Sequence, residues 1–292
     1  MESGQLEERL GLNIPYEWWP AAPILKEIEA AGFSWVQVPS PPPSVLTNPR
    51  LASRHASGLS EVLGTSGLRP ILHGPGEVKA GTSEGDRVLE GLLGYAAETG
   101  AERVVYHAAN HPDEPASEDA LLAETRSLAR LAGRAERHGT IIALENLAPV
   151  FPGPEALSFK PLLLRTMAKR ISSPAVGLCL DLGHANVVAG LHGSDPIELI
   201  EPALDRTVLF HLHDNLGARR GQDEPAAIDP LRLDLHLPPG RGSVPWDRLA
   251  PLLARRQAPL LLEVHPPHRP SPAHLFDAAL SVLVPPAVPA VA

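Results

Sequence analysis

Val176-Gly-Leu-Cys-Leu-Asp181-Leu-Gly-His184 is an unbroken apolar run closed by an aspartate, with a histidine three positions further on. Consecutive apolar residues suit a parallel strand covered on both faces, whereas a half-exposed strand alternates polar and apolar. The same form recurs in both directions along the chain. Further runs fall at Gly11 to Ile14, Trp35 to Val38, Pro70 to His73, Arg103 to His107, Ile141 to Glu145, Val208 to His211 and Leu260 to Glu263. Between them lie segments of helical character, such as Ser117 to His138, where Leu121, Leu122, Leu128 and Leu131 recur at helical spacing among Glu and Arg. The others are Pro23 to Ala31, Leu51 to Thr65, Ser83 to Thr99, Glu155 to Arg170, Pro196 to Leu204, Trp246 to Arg256 and Ser271 to Val284. Eight strand–helix alternations predict an α/β chain folded as a single (β/α)8 TIM barrel over residues 1–284, with 285–292 as a flexible tail. An open doubly wound sheet is the other arrangement, but the glycine-rich turn of its phosphate-binding form does not follow the first run. Gly217 to Arg232 reads as an irregular polar loop.

The 292 residues carry a net charge of -9, and the 25 Lys and Arg form no basic run, so duplex nucleic acid is disfavoured as a partner. The single cysteine, Cys179, excludes an intramolecular disulfide framework and a cysteine-based zinc cluster. The acidic N-terminus has no signal-peptide core, and no apolar run reaches the roughly 20 residues that span a bilayer. A cytoplasmic protein, free of the membrane and compatible with a homo-oligomer, is the expectation.

Six runs end in a residue able to bind a metal: His73, His107, Glu145, Asp181, His211 and Glu263. Strand ends of a (β/α)8 barrel converge on one mouth, so residues remote in sequence meet there. A mixed His and carboxylate set suits Zn²⁺, Mn²⁺, Fe²⁺ or Co²⁺ better than Mg²⁺ or Ca²⁺, and one to three divalent ions, Zn, Mn, Co or Mg, are expected. His184 follows Asp181 closely enough to lean over the mouth. In His211-Leu-His-Asp-Asn215, His211 is favoured as ligand over His213, and Asp214 is read as a carboxylate orienting an imidazole. Asp234 and His236 form an Asp-x-His pair on a loop whose Gly240 and Gly242 permit a tight turn. His55, His111, His138, His192, His265, His268 and His274 end no strand and are assigned to exposed or packing roles.

Taken together, Glu145-Asn146, Cys179-Leu-Asp181-Leu-Gly-His184, His211-Leu-His-Asp-Asn215, His236-Leu-Pro-Pro-Gly-Arg-Gly-Ser-Val-Pro-Trp246 and Leu262-Glu263 resemble the xylose-isomerase-like barrel superfamily. That superfamily holds sugar isomerases and epimerases together with endonuclease IV. The resemblance to the isomerase branch implies one divalent ion on Glu145, Asp181, His211 and Glu263, with Glu145 and Glu263 as base and acid. His184, His73, His107 and Trp246 would contact a carbohydrate substrate. The resemblance to endonuclease IV implies three zinc ions on nine ligands: His73, His107, Glu145, Asp181, His184, His211, Asp234, His236 and Glu263.

Each branch meets departures. Ketose epimerases usually carry a further glutamate and arginine where this chain has Phe151 and Gly217, although Arg219 or Arg220 could substitute for the arginine. The DNA wedge expected after the third strand is replaced by Gly74-Pro-Gly-Glu77. The first reading is a divalent-metal-dependent sugar or sugar-phosphate isomerase or epimerase. The alternatives are an endonuclease-IV-like multi-zinc phosphodiesterase and a metal-binding barrel without catalysis.

Overall fold

In a computed structural model of the chain, described for residues 6–149, 153–218 and 234–284, eight parallel strands close in sequence order, β1 pairing with both β2 and β8. The strands are β1 (Leu10–Asn13), β2 (Trp35–Pro39), β3 (Arg69–His73), β4 (Arg103–His107), β5 (Ile141–Glu145), β6 (Val176–Asp181), β7 (Thr207–Leu212) and β8 (Leu260–Leu262). The helices are α1 (Ala22–Ala30), α2 (Pro43–Leu46), α3 (Pro49–Leu63), α4 (Ser83–Thr99), α5 (Glu118–His138), α6 (Pro161–Ile171), α7 (Leu182–His192), α8 (Pro196–Ile200), α9 (Trp246–Ala254) and α10 (Pro272–Leu283). The expected tail from Pro285 and most of the expected polar loop, from residue 219, lie outside the described residues, as do Phe151, Arg219 and Arg220.

Strand side chains alternate, and the alternation decides where the chemistry sits. Trp35, Ile71, Val105, Ala143, Cys179, Leu209 and Leu261 form one buried cluster filling the barrel interior. Their neighbours, such as Leu72, Val104, Leu144, Leu178 and Leu180, belong to the larger core shared with the helices. Gly11 completes the interior layer, since a Cβ there would stand 2.8 Å from both Leu261 Cδ1 and Trp35 Cβ. Beneath the plug, the guanidinium groups of Arg69 and Arg103 lie 3.8 and 4.8 Å from the Trp35 ring centroid. Two residues towards the C-terminal ends, the next inward positions are Asn13, Gln37, His73, His107, Glu145, Asp181, His211 and Glu263. An apolar floor therefore carries a polar layer.

The crossover after β6 departs from the sequence expectation, which places its helix at Pro196 to Leu204. The structure starts a helix at Leu182, capped by Asp181, whose side chain accepts from His184 N at 2.7 Å. α7 is buried almost all round, so it has no polar stripe to reveal it. The expected segment becomes the short α8 followed by a 3-10 turn at Glu201–Arg206. The expected helix at Glu155 to Arg170 begins only at Pro161, which occupies the first helical turn.

Candidate metal centre

The nine expected ligands gather at the mouth in three groups, in each of which the donor atoms lie within 4.8 Å of one another. The first is His73, His107 and Glu145; the second is Glu145, Asp181, His211 and Glu263; the third is His184, His213, Asp234 and His236. Glu145 belongs to two groups and spends a different oxygen on each. Its Oε2 lies 3.3 Å from His107 Nε2 and 3.5 Å from His73 Nε2, while its Oε1 lies 3.1 Å from His211 Nδ1. The third group adjoins the second through Asp181 Oδ1, which is 3.0 Å from His213 Nε2.

A tetrahedral ion with bonds of about 2.1 Å separates its donors by about 3.4 Å. Glu145 Oε2, Asp181 Oδ2, Asp234 Oδ1 and His213 Nε2 are buried and make ion pairs at 3.0–3.7 Å without a well-formed hydrogen bond, and His213 Nδ1 is buried with no partner among the described residues. Buried polar atoms without well-formed hydrogen bonds are costly, and a cation would supply what they lack. The donor set, mixed imidazole and carboxylate, fits zinc or a neighbouring divalent ion.

The imidazoles are held in defined tautomers by the opposite ring nitrogen. Nδ1 of His73, His184 and His236 donates to the carbonyls of Gly74 (2.9 Å), Asn146 (2.8 Å) and Glu263 (3.2 Å), leaving each Nε2 for the centre. His211 is turned the other way: its Nε2 donates to Gln37 Oε1 at 2.9 Å, which frees Nδ1. Gln37 also donates from Nε2 to Glu263 Oε1, so one amide sets two ligands. Asn146 fixes Asp181 by donating to its carbonyl at 3.0 Å and accepting from its N–H at 2.9 Å. Gln37→Leu is expected to weaken ion binding at the second group by about 10- to 100-fold, as removal of such supporting partners does. An unchanged affinity in a metal-titration calorimetry experiment would contradict this role.

Without ions the cluster balances its own charge. Burial pushes the carboxyl of Glu145 up, but His211, His107 and His73 outweigh it and hold the group well below the usual carboxylate range. Asp181 is likewise lowered, burial being outweighed by His184, His213 and His211. Burial pulls His211 down, yet Glu263 and Glu145 raise it to about 9. Burial also pulls His236 down, and Asp234 raises it to about 9. Both imidazoles are therefore protonated at pH 7 and must lose a proton to bind an ion. Ion affinity should climb as pH rises from 7 to about 9 and flatten above it, with proton release measurable by calorimetry in buffers of different ionisation enthalpy. Binding at pH 7 without proton release would rule this out.

Three placements differ from expectation. His213, ranked behind His211, stands in the third group. Gly183 makes room for it, since a Cβ at that position would collide with the His213 ring. Gly183→Ala should cost the protein the ion of the third group alone, a loss of about one equivalent by elemental analysis. Asp214 orients no imidazole: its Oδ1 accepts from the N–H of Asn215 (2.9 Å) and Val244 (3.1 Å), and its Oδ2 from Gly240 N (2.9 Å) and Trp246 Nε1 (3.0 Å). It is the hub of the Gly240 to Trp246 turn. Trp246, expected at the substrate, is buried at 6% exposure, with its indole N–H committed to Asp214. His236 sits in the left-handed region at φ 47°, a strained backbone for a non-glycine residue that the turn imposes.

Gln37 and Asn146 were not among the expected site residues. Gln37 lies two residues beyond the inward-facing Trp35, and that period-two offset is the signal that finds it. His265 stacks on His236, with ring centroids 4.2 Å apart.

Parallel strands closed in chain order, with histidines and carboxylates converging on their C-terminal ends, define a (β/α)8 barrel with a candidate metal-ligand cluster at its mouth. Residues 25–284 match the model of the xylose isomerase-like TIM barrel family, and the chain belongs to that family. Among solved structures, a D-tagatose 3-epimerase-like protein is 20% identical with a TM-score of 0.69, over 93% of this chain and 95% of that one. The IolI protein with a bound zinc atom is 18% identical with a TM-score of 0.69, over 94% and 98%. The TTHB071 protein from Thermus thermophilus, soaked with ZnCl2, is 23% identical with a TM-score of 0.64, over 93% and 98%. No curated protein matches the chain. Among the described residues no helix is long and apolar enough to cross a membrane.

Proposed function

We propose that this chain is a multinuclear divalent-metal enzyme, zinc being the best-fitting ion, that hydrolyses a phosphoester of a small, sugar-containing substrate. The observation that carries this reading is the double use of Glu145, whose two oxygens face two different ligand groups. A carboxylate engaged on both sides has no oxygen left to shuttle a substrate C–H proton. Ions held there supply Lewis acidity, offsetting charge on a phosphoryl group and making water a competent nucleophile at neutral pH.

The remaining work falls to the chain's own residues. Glu145 would serve as the shared ligand, and Glu263, which lines the open cleft beside the cluster, would hold the middle ion through Oε2. Its Oε1 is already occupied by Gln37. His73 and His107, each 24% exposed, form the solvent-facing edge where the phosphoryl oxygens would approach. The net charge of -9 and the absence of a basic run argue for a small substrate over a duplex.

A second reading, the sugar isomerase or epimerase, is favoured by the second group, which offers a complete four-ligand site on its own. Sugars named for structural neighbours, D-tagatose, D-psicose and D-allulose, point the same way. The readings separate when the zinc-loaded protein is assayed in parallel on sugar-phosphate esters and on free ketoses. Release of inorganic phosphate is the expected result; ketose interconversion without phosphate release would establish the second reading instead.

A further inference from the structure

Leading away from the cluster, three imidazoles form a parallel ladder. His213 and His236 stack at 3.8 Å with 7° between their planes, and His236 and His265 at 4.2 Å with 10°. The first two belong to the third ligand group; His265 does not, and it is exposed. Among the described residues no further ring stacks on it.

His265 lines a cleft of 210 Å³ together with Asn13, Tyr16, His236 and Glu263. The volume falls below the roughly 300 Å³ at which pockets for drug-sized ligands begin, so the cleft suits one ring at a time. Tyr16 is 73% exposed, although large aromatic side chains are normally covered. Asn13 is fixed by its oxygen: Oδ1 accepts from Arg269 Nη1 at 2.6 Å and from Val264 N at 3.3 Å. Its side-chain N–H2 has no partner among the described residues and offers a donor to the edge of a ring. An open aromatic face, a second exposed aromatic and a fixed polar group thus share one small cleft next to the ligands.

We infer that His265 and Tyr16 form a stacking subsite for an aromatic ring of the nucleobase class, carried by the phosphoester that the cluster binds. The inference rests on the hydrolytic reading for the place of the phosphoryl group, while the stacking itself depends only on the cleft. The tested protein is the full chain loaded with zinc, titrated by calorimetry with adenosine 5'-monophosphate, ribose 5-phosphate and inorganic phosphate. The nucleotide should bind about 10-fold more tightly than the sugar phosphate, the scale of a single base–aromatic stack. His265→Ala and Tyr16→Ala should bring that ratio close to unity, and His265→Phe should restore it, with zinc content measured for every variant. Tyr16 is exposed enough that its removal leaves folding intact. A wild-type ratio near unity, or a ratio unmoved in both alanine variants, overturns the subsite. If neither phosphate compound binds, the hydrolytic reading fails separately, and the ratio of free adenosine to free ribose then decides the subsite alone.

Discussion

Glu145→Gln is expected to abolish turnover, by three orders of magnitude or more, while the folded barrel survives. The carboxamide matches the carboxylate in size, and His211 still faces Asp181 and Glu263 at 3.7 and 3.4 Å, so the layer keeps its packing and much of its charge balance. What disappears is the one side chain common to two ligand groups. Zinc content should fall by about two equivalents per chain, the third group keeping its own ion. Unchanged circular dichroism with lost activity and lost metal is the expected signature. Unchanged turnover would show that Glu145 is misassigned.

The second large effect is on stability. The four ligands of the middle group are at most 7% exposed and come from the ends of four different strands, so an ion held there binds the folded state and not the unfolded chain. An ion that binds only the folded state at a concentration 1,000-fold above its dissociation constant contributes about 4 kcal/mol. In a chain of 292 residues that moves the melting temperature by about 7 °C per ion. Differential scanning calorimetry before and after exhaustive chelation should show a drop of that order for each ion removed, reversed by added zinc. An identical melting temperature in both states would mean that the buried cluster binds nothing tightly.

The eight strands were legible because a parallel strand covered on both faces writes an unbroken apolar run, and each run ends where the barrel needs a polar residue. His73, His107, Glu145, Asp181, His211 and Glu263 lie in the three groups for that reason, while His184, Asp234 and His236 reach them from the helix and loop that follow. The start of α7 near His184 was legible but its extent was not, because a helix buried almost all round carries no amphipathic period. His213 was undervalued because alternation along β7 places it one step beyond His211, and only Gly183 in another element shows that its ring has been given space. Trp246 and Asp214 were misplaced because a motif marks that residues act together without saying upon what. Here they brace each other and the turn that delivers His236. Gln37 ends no recognisable motif; its role follows from strand register and from the two ligands it meets.

Three contiguous ligand groups are proposed to hold a multinuclear centre. Elemental analysis of protein reconstituted with zinc and freed of loosely held ions tests it most directly. About three zinc ions per chain are expected at saturation. A stoichiometry that stops at one ion, however tightly bound, would contradict it.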